Sequence, residues 1–443
     1  MRSATTIGDD EQRTLLDSDA LALAEMVSGP LRVMATLPAR PDRDADQDRA
    51  AHRALATIRT ARQSFMSRHA AAVYARLTDD HTRHLRLPDL LQAAATMFPG
   101  LVPTREQMAA ERGQIQSDKD GYEIDQGIFF AAVLGSPVAG RHLIDAMLCP
   151  TPRAVELDAR FAATGRIELG SVLVDRRGHA AHVTFCNAHS LNAEDDQLIA
   201  DLETAIDLAL LDDQVRVGVL RGAEVEHAKY RGRRVFSAGV NLKDLRNGDI
   251  SFVEFLLGRE LGYVNKVMRG LLRDPHGSSV GDRCVAKPWI AAVDTFAIGG
   301  GMQLLLVMDH VIAEEQAYFS LPAAEEGIVP GLANLRITRL VGGRLARRLI
   351  LGGHRIVATD PEARLVCDEV VAPAAIDEAV DRAVARLAVP AASVNRRMLN
   401  LAEEPIELYR EYLAEFASAQ VARSYSVDVL AKVERRWQRA QGC

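Results

Sequence analysis

Two short stretches about 60 residues apart bound this chain more tightly than any other feature: Phe236-Ser237-Ala238-Gly239-Val240-Asn241-Leu242 and Ala297-Ile298-Gly299-Gly300-Gly301-Met302-Gln303. Each places small residues where the chain leaves an apolar strand, so backbone N–H groups lie bare and a carbonyl oxygen can approach the main chain closely. The apolar segment Lys287-Pro288-Trp289-Ile290-Ala291-Ala292-Val293 leads into the second stretch. Together they read as the two halves of an oxyanion hole, which would stabilise the enolate of an acyl thioester. One preorganised donor of this kind contributes about 3 kcal/mol at a transition state.

At 443 residues with 48% apolar content, the chain is long enough for about two or three domains with a buried core. A formal charge of −7, from 53 basic and 60 acidic residues, gives no global attraction to nucleic acid. Asp9, Asp10, Glu11, Asp17 and Asp19 are foreign to a secretory leader, and no apolar run approaches the roughly 18 residues of a membrane span. A cytoplasmic protein with no membrane partner is therefore expected. Five scattered cysteines, Cys149, Cys186, Cys284, Cys367 and Cys443, show no CxxC spacing and read as reduced thiols.

The organisation along the chain predicts an α/β core between helical flanks, with boundaries at 1–166, 167–371 and 372–443. Residues 1 to about 45 are polar and end in Leu37-Pro38-Ala39-Arg40-Pro41, which stops any helix there. Asp48 to Leu77 reads as one long helix, followed by helices over Leu90–Met97 and Glu106–Gln114. Asp118-Lys119-Asp120-Gly121 lacks the acidic spacing of a calcium loop and reads as a surface turn. Strands are expected over Ser171–Val174, Ala181–Cys186, Val215–Leu220, Trp289–Val293 and His310–Ala313, with an amphipathic helix over Asp196–Leu211 making a βαβ-like unit. Helices return over Ile376–Leu387 and Pro405–Trp437.

The run from about Gly178 to about Val371, a little under half the chain, resembles the enoyl-CoA hydratase/isomerase (crotonase) superfamily. Ser190-Leu191-Asn192-Ala193 near its start and Glu326-Gly327-Ile328-Val329-Pro330-Gly331 near its end extend the match. The resemblance implies a right-handed β-β-α spiral core, preceded by an all-helical N-terminal domain. It also implies C-terminal helices that pack over the active site or a neighbouring subunit, and homo-oligomers that are trimers or dimers of trimers, that is, hexamers. It makes the N–H groups of Val240 and Gly300 the two oxyanion donors, with the helix beginning near Gly301 adding its positive end.

Hydratases of that superfamily use two glutamates to add water. This chain has Gln303 and Ala323 at those places, and neither exchanges protons near neutral pH, so hydration by that route is close to excluded. Glu325 and Glu326 nearby read as solvated. The details around Glu194, Arg259 and Gln303, with the long helical N-terminal segment, resemble a branch of cofactor-independent dioxygenases acting on a dihydroxyphenylacetyl thioester of coenzyme A. That branch implies that Glu194 and Gln303 orient ring hydroxyls while Arg259 supplies fixed positive charge near the developing anion. From the residues alone, Glu194 also reads as a helix N-terminal carboxylate and Arg259 as a surface ion-pair partner.

The same resemblance assigns coenzyme A to main-chain contacts from Ala188, Ala238 and Leu242 beside Gly239, Asn241 and Gly299. Lys229 and Arg233 are candidate phosphate partners. It implies no metal and no cofactor, with O2 as co-substrate and the substrate carbanion as electron source. It further implies a place in antibiotic biosynthesis, supplying dihydroxyphenylglycine. No two-His-one-carboxylate spacing is recognisable among the twelve dispersed histidines. Two other readings stay open at this point: an isomerase, decarboxylase or thioester hydrolase without oxygen chemistry, and a catalytically silent CoA-binding protein. Two decoys fall away. Gly277-Ser278-Ser279-Val280-Gly281 matches GxSxG without the strand and helix of a nucleophile elbow, and GxGxxG counted from Gly299 lands on Leu304.

Overall fold

The computed structural model describes residues 9–273 and 284–441, so the GxSxG run and Cys443 lie outside the described residues. Among the described residues twelve strands build the α/β part: β1 Arg166–Glu168, β2 Val172–Arg177, β3 Ala180–Phe185, β4 Val217–Gly222, β5 Leu271–Leu272, β6 Cys284–Val285, β7 Trp289–Val293, β8 Phe296–Ile298, β9 His310–Glu314, β10 Tyr318–Ser320, β11 Arg355–Val357 and β12 Glu369–Val371. The main sheet runs in the order β1-β2-β3-β4-β7-β9-β12. Antiparallel pairing at β1–β2–β3 gives way to parallel pairing from β3 to β12. A second sheet, β11-β10-β8, stands beside it.

Trp289–Val293 is buried at every position, as a continuous apolar run must be in a parallel sheet covered on both faces. The helix Asp196–Leu211 forms the crossover between β3 and β4, as its periodicity predicts. Asp195 caps its first turn by accepting from the Leu198 N–H. The five expected strands are all present, Trp289–Val293 with the expected ends and the others with ends shifted by at most three residues. The short strands β1, β8, β10, β11 and β12 have too few residues to show a period in the sequence.

The N-terminal region is helical. Ala45–Leu77 is one helix, started by a reciprocal capping box between Asp44 and Gln47. Although residues 1–45 read only as polar, Asp9–Thr36 forms a 28-residue helix that ends just before Pro38. Its Leu16, Leu23, Val27 and Met34 make the buried stripe. The turn at Asp118–Gly121 is a correction: Lys119 is buried with its ammonium on the Gly248 carbonyl at 2.6 Å, and Asp120 is held by Arg43. Sequence shows the turn residues but not what packs on them.

Two large cores share the molecule. One gathers a single face of the main sheet around Trp289, with Phe161, Phe185, Phe236 and Tyr263. The other joins the N-terminal helices to Phe252, Val253, Leu257, Leu261 and Leu332 and to Tyr409, Leu413 and Phe416. The C-terminal segment expected as one helix breaks at Tyr425-Ser426 into Ile406–Ser424 and Val427–Gln441, and a further helix spans Pro390–Glu403. Among the described residues no single helix is long and apolar enough to cross a membrane. The bent pair Tyr122–Gly135 and Pro137–Thr164 passes on length and composition alone.

Candidate functional site

The site grows from the place where the two glycine-bearing stretches meet. Ser237 pairs with Ala297 in a parallel bridge, and Glu194 pairs with Val240. In the second bridge both Glu194 main-chain groups are used: its N–H donates to Gly239 at 2.7 Å and its carbonyl accepts from Asn241 at 2.8 Å. Val240 lies between those two partners, so its own N–H stays outside the ladder. Gly300 opens the helix Gly300–Leu305, where a first-turn N–H has no intrahelical acceptor.

Contact between the stretches depends on glycine. Gly239 has φ +84°, and a Cβ there would sit 2.9 Å from the Ile298 carbonyl oxygen and 3.2 Å from the Gly300 nitrogen. A Cβ on Gly300 would lie 2.1 Å from Glu194 Oε2. Side chains at either position would push the two bare donors apart or displace the carboxylate.

Beneath the donors lies a buried polar network. Arg259 grips Glu194 at two points, Nε to Oε2 at 2.9 Å and Nη2 to Oε1 at 3.1 Å. Its Nη1 donates to Glu260 Oε1 at 2.7 Å and to Gln303 Oε1 at 3.0 Å, and its Nη2 also donates to the Gly300 carbonyl at 2.8 Å. All five guanidinium N–H donors are thereby used. Burial works against the charge, and Glu194, Tyr263 and Glu260 more than offset it, so Arg259 is held above the usual arginine range. Tyr263 donates to Glu194 Oε1 at 2.9 Å, and burial raises its phenol well above the usual value, keeping it a donor.

This geometry corrects two readings of the sequence. Asp195 caps the helix, and Glu194 turns inward with 1% exposure. Arg259 is 3% exposed, so it is not a surface pair, and its charge is shared by two carboxylates with no N–H left over. Gln303 is fixed in orientation: Arg259 can only donate, so Oε1 faces it and the amide NH2 is turned outward from that contact.

The remaining candidates serve the frame. Asn241 caps the helix Leu242–Asn247, accepting from Lys243 and Asp244 N–H. The Ala238 N–H is taken by the Leu191 carbonyl at 3.2 Å and the Gly299 N–H by that of Ser320 at 2.9 Å. Ala188 opens a short turn at half-burial and its carbonyl meets the Glu226 N–H at 3.5 Å. Lys229 is exposed with its ammonium 5.1 Å from the Tyr230 ring, while Arg233 is tied through Nη2 to Glu314 at 2.5 Å. Neither joins the network around Arg259. Glu325 is exposed with its carboxylate beside Gly353, and Ala323 is buried. Among the described residues no three His, Cys, Asp or Glu side chains converge into a metal-binding group.

Sequence reasoning missed Glu260 and Tyr263. Both sit beside Arg259 on an irregular path: the wide π-type turn Phe252–Leu257, the short helix Gly258–Leu261, a break at Gly262, then the helix Tyr263–Arg269. The four-residue spacing from Arg259 to Tyr263 was the one available signal. That last helix is anchored from behind by Lys266, whose buried ammonium meets Asp207 at 2.7 Å and Glu203 at 2.8 Å.

Comparison with known proteins converges on the same architecture. The family model described as enoyl-CoA hydratase/isomerase matches residues 283–420. A (3,5-dihydroxyphenyl)acetyl-CoA 1,2-dioxygenase of Amycolatopsis orientalis is 53% identical over 415 residues, covering 94% of this chain and 95% of that protein. A probable enoyl-CoA hydratase of Rhizobium meliloti (strain 1021) is 31% identical over 52% of this chain and 81% of its own. An enoyl-CoA hydratase/isomerase structure from Xanthobacter autotrophicus Py2 superposes with a TM-score of 0.50 at 23% identity, covering 61% of this chain and 94% of that one. That likeness speaks for the fold of the core. With near-complete coverage at 53% identity, the chain belongs to the enoyl-CoA hydratase/isomerase (crotonase) family.

Proposed function

We propose that this protein is a dioxygenase that converts (3,5-dihydroxyphenyl)acetyl-CoA and O2 into (3,5-dihydroxyphenyl)glyoxylate and free CoA, with no metal or organic cofactor. The observation that carries the reading is the pairing of two glycine-framed N–H donors, at Val240 and Gly300, with a buried Glu194–Arg259–Gln303 network. The identity to the Amycolatopsis dioxygenase along nearly the whole chain supports the same reading.

In this account the thioester oxygen sits against the Val240 and Gly300 N–H groups, which stabilise the enolate formed when a Cα proton leaves. Triplet oxygen reacts poorly with closed-shell molecules, and the electron-rich enolate conjugated to the ring supplies the single electron. Recombination gives a Cα peroxide, which attacks the thioester carbonyl and expels CoA. Cleavage of the O–O bond leaves the α-keto acid. One thioester and one O2 give one arylglyoxylic acid and one thiol, so both oxygen atoms enter the acid and no water is consumed. Gln303 donates its amide N–H to a ring hydroxyl oxygen, while Glu194 and Arg259 hold the wall of the pocket in place. CoA follows the strand ends near Ala188, Ala238 and Leu242, with Lys229 and Arg233 as phosphate contacts. The three-part division at 166/167 and 371/372, a trimeric or hexameric assembly, a cytoplasmic setting and a role in supplying an arylglycine for antibiotic biosynthesis belong to the same proposal.

The test is oxygen uptake with (3,5-dihydroxyphenyl)acetyl-CoA on chelator-treated protein, followed beside thiol release. Matched stoichiometry supports the reading; thiol release without oxygen loss makes the protein a hydrolase.

A further inference from the structure

We infer that Glu260 is a positioning residue that lets the site distinguish a hydroxylated aryl ring from a bare one, acting through Arg259 on Gln303. The inference rests on the function proposed above for the identity of the substrate, and adds a residue and a physical route to it.

Glu260 is 2% exposed and makes three separate contacts. Oε1 accepts from Arg259 Nη1 at 2.7 Å, Oε2 accepts from the Leu332 N–H at 3.4 Å, and its carbonyl accepts from the Tyr409 hydroxyl at 2.8 Å. One guanidinium nitrogen, Nη1, therefore serves both Glu260 and Gln303. Gly331 closes over both acceptors: at φ +47°, a Cβ there would fall 2.2 Å from Glu260 Oε1 and 3.0 Å from Gln303 Oε1. The Gly331 carbonyl is in turn held by the Tyr412 hydroxyl at 2.9 Å. Tyr409 and Tyr412, three residues apart on the helix Ile406–Ser424, thus clamp the two backbone segments between which Gln303 is aimed.

Donor arithmetic makes the carboxylate necessary. Arg259 Nη1 carries two hydrogens, one on Glu260 and one on Gln303, so Glu260 fixes the direction in which the second points at Gln303. A glutamine at 260 accepts with one oxygen and presents an NH2 in place of the other. It faces two donors, Arg259 Nη1 and Leu332 N–H, and satisfies one of them. Arg259 or the Leu332 loop then shifts, and Gln303 loses the fixed outward direction of its NH2. A ring hydroxyl oxygen is the acceptor that direction suits.

The experiment is anaerobic calorimetric binding of (3,5-dihydroxyphenyl)acetyl-CoA and of phenylacetyl-CoA to the wild-type protein, Glu260→Gln and Tyr409→Phe, with folding checked by circular dichroism. Wild-type protein is expected to bind the hydroxylated thioester at least about tenfold more tightly, as one well-aimed buried hydrogen bond confers. E260Q is expected to bring the two affinities within about threefold, and Y409F to move the ratio the same way by less. An unchanged ratio in a folded E260Q, or equal weakening toward both thioesters, overturns the inference, as does a wild-type protein that binds both alike. Because no oxygen is present, a failure of the dioxygenase reading appears elsewhere, as normal discrimination without oxygen uptake in air.

Discussion

Glu194 and Arg259 form a two-point ion pair, 2.9 and 3.1 Å long, sealed from solvent immediately below the Gly300 main chain. A pair so placed costs a great deal to desolvate and is strongly destabilising to break from one side. Its position beside the two bare N–H donors, rather than any contribution to stability, explains its value.

Arg259→Ala leaves Glu194 and Glu260 buried without their shared partner. The substitution should cost about 3–5 kcal/mol of folding stability and reduce oxygen uptake below detection. Urea denaturation and an oxygen electrode measure the two effects. Stability within about 1 kcal/mol of wild type would mean that the network is solvated.

Gly300→Ala should retain the fold while turnover falls about a hundredfold, the scale of losing one oxyanion donor. The new methyl group would lie 2.1 Å from Glu194 Oε2, so the carboxylate must move. A kcat close to wild type would remove Gly300 from the proposed donor pair.

Gln303→Glu is expected to weaken the protein without creating a hydratase. It places a third carboxylate on the Arg259 guanidinium, at Nη1, which already serves Glu260, and like charges crowd one guanidinium. The new carboxyl should bind its proton more tightly in the folded state than in the unfolded one. The destabilisation is then greatest at neutral pH and recedes as pH falls through the carboxylate range. Thermal denaturation from pH 4 to pH 8 shows the trend, and crotonyl-CoA hydration by the variant would contradict it.

A separate pH effect is expected in the N-terminal helical region. Burial, then the charge of His84, pull the His142 imidazole from about 6.5 down to about 4 against a hydrogen bond to the His81 main chain, and its Nδ1 meets the Tyr74 hydroxyl at 2.8 Å. The unfolded chain binds the proton more readily, so stability is lost as pH falls from about 6.5 toward about 4. His142→Asn should flatten that limb in melting experiments. An unaltered acid slope would assign it to other groups.

The meeting of the two glycine-bearing stretches was legible because glycines at strand ends are local signals, and the absence of glutamates at 303 and 323 needed only reading. Glu194, Arg259 and Gln303 were legible through resemblance, but their partnership was not. Arg259 reaches Glu194 and Gln303 from an irregular path, between a π-type turn and a break at Gly262, that no periodicity reveals. Glu260 escaped because its importance lies in Leu332, Tyr409 and Gly331, each contributed by a distant segment. Long segments such as Asp196–Leu211 matched their pattern, whereas the helix Asp9–Thr36 hid behind its polar surface because only a narrow stripe of it is buried.

The central claim is that this scaffold turns a stabilised thioester enolate toward oxygen. It is tested most directly by running the reaction under 18O2 with (3,5-dihydroxyphenyl)acetyl-CoA and chelator-treated protein, and weighing the acid produced. The account predicts (3,5-dihydroxyphenyl)glyoxylate carrying two labelled atoms, with one CoA released per O2 consumed. An unlabelled arylacetate with free CoA would contradict it.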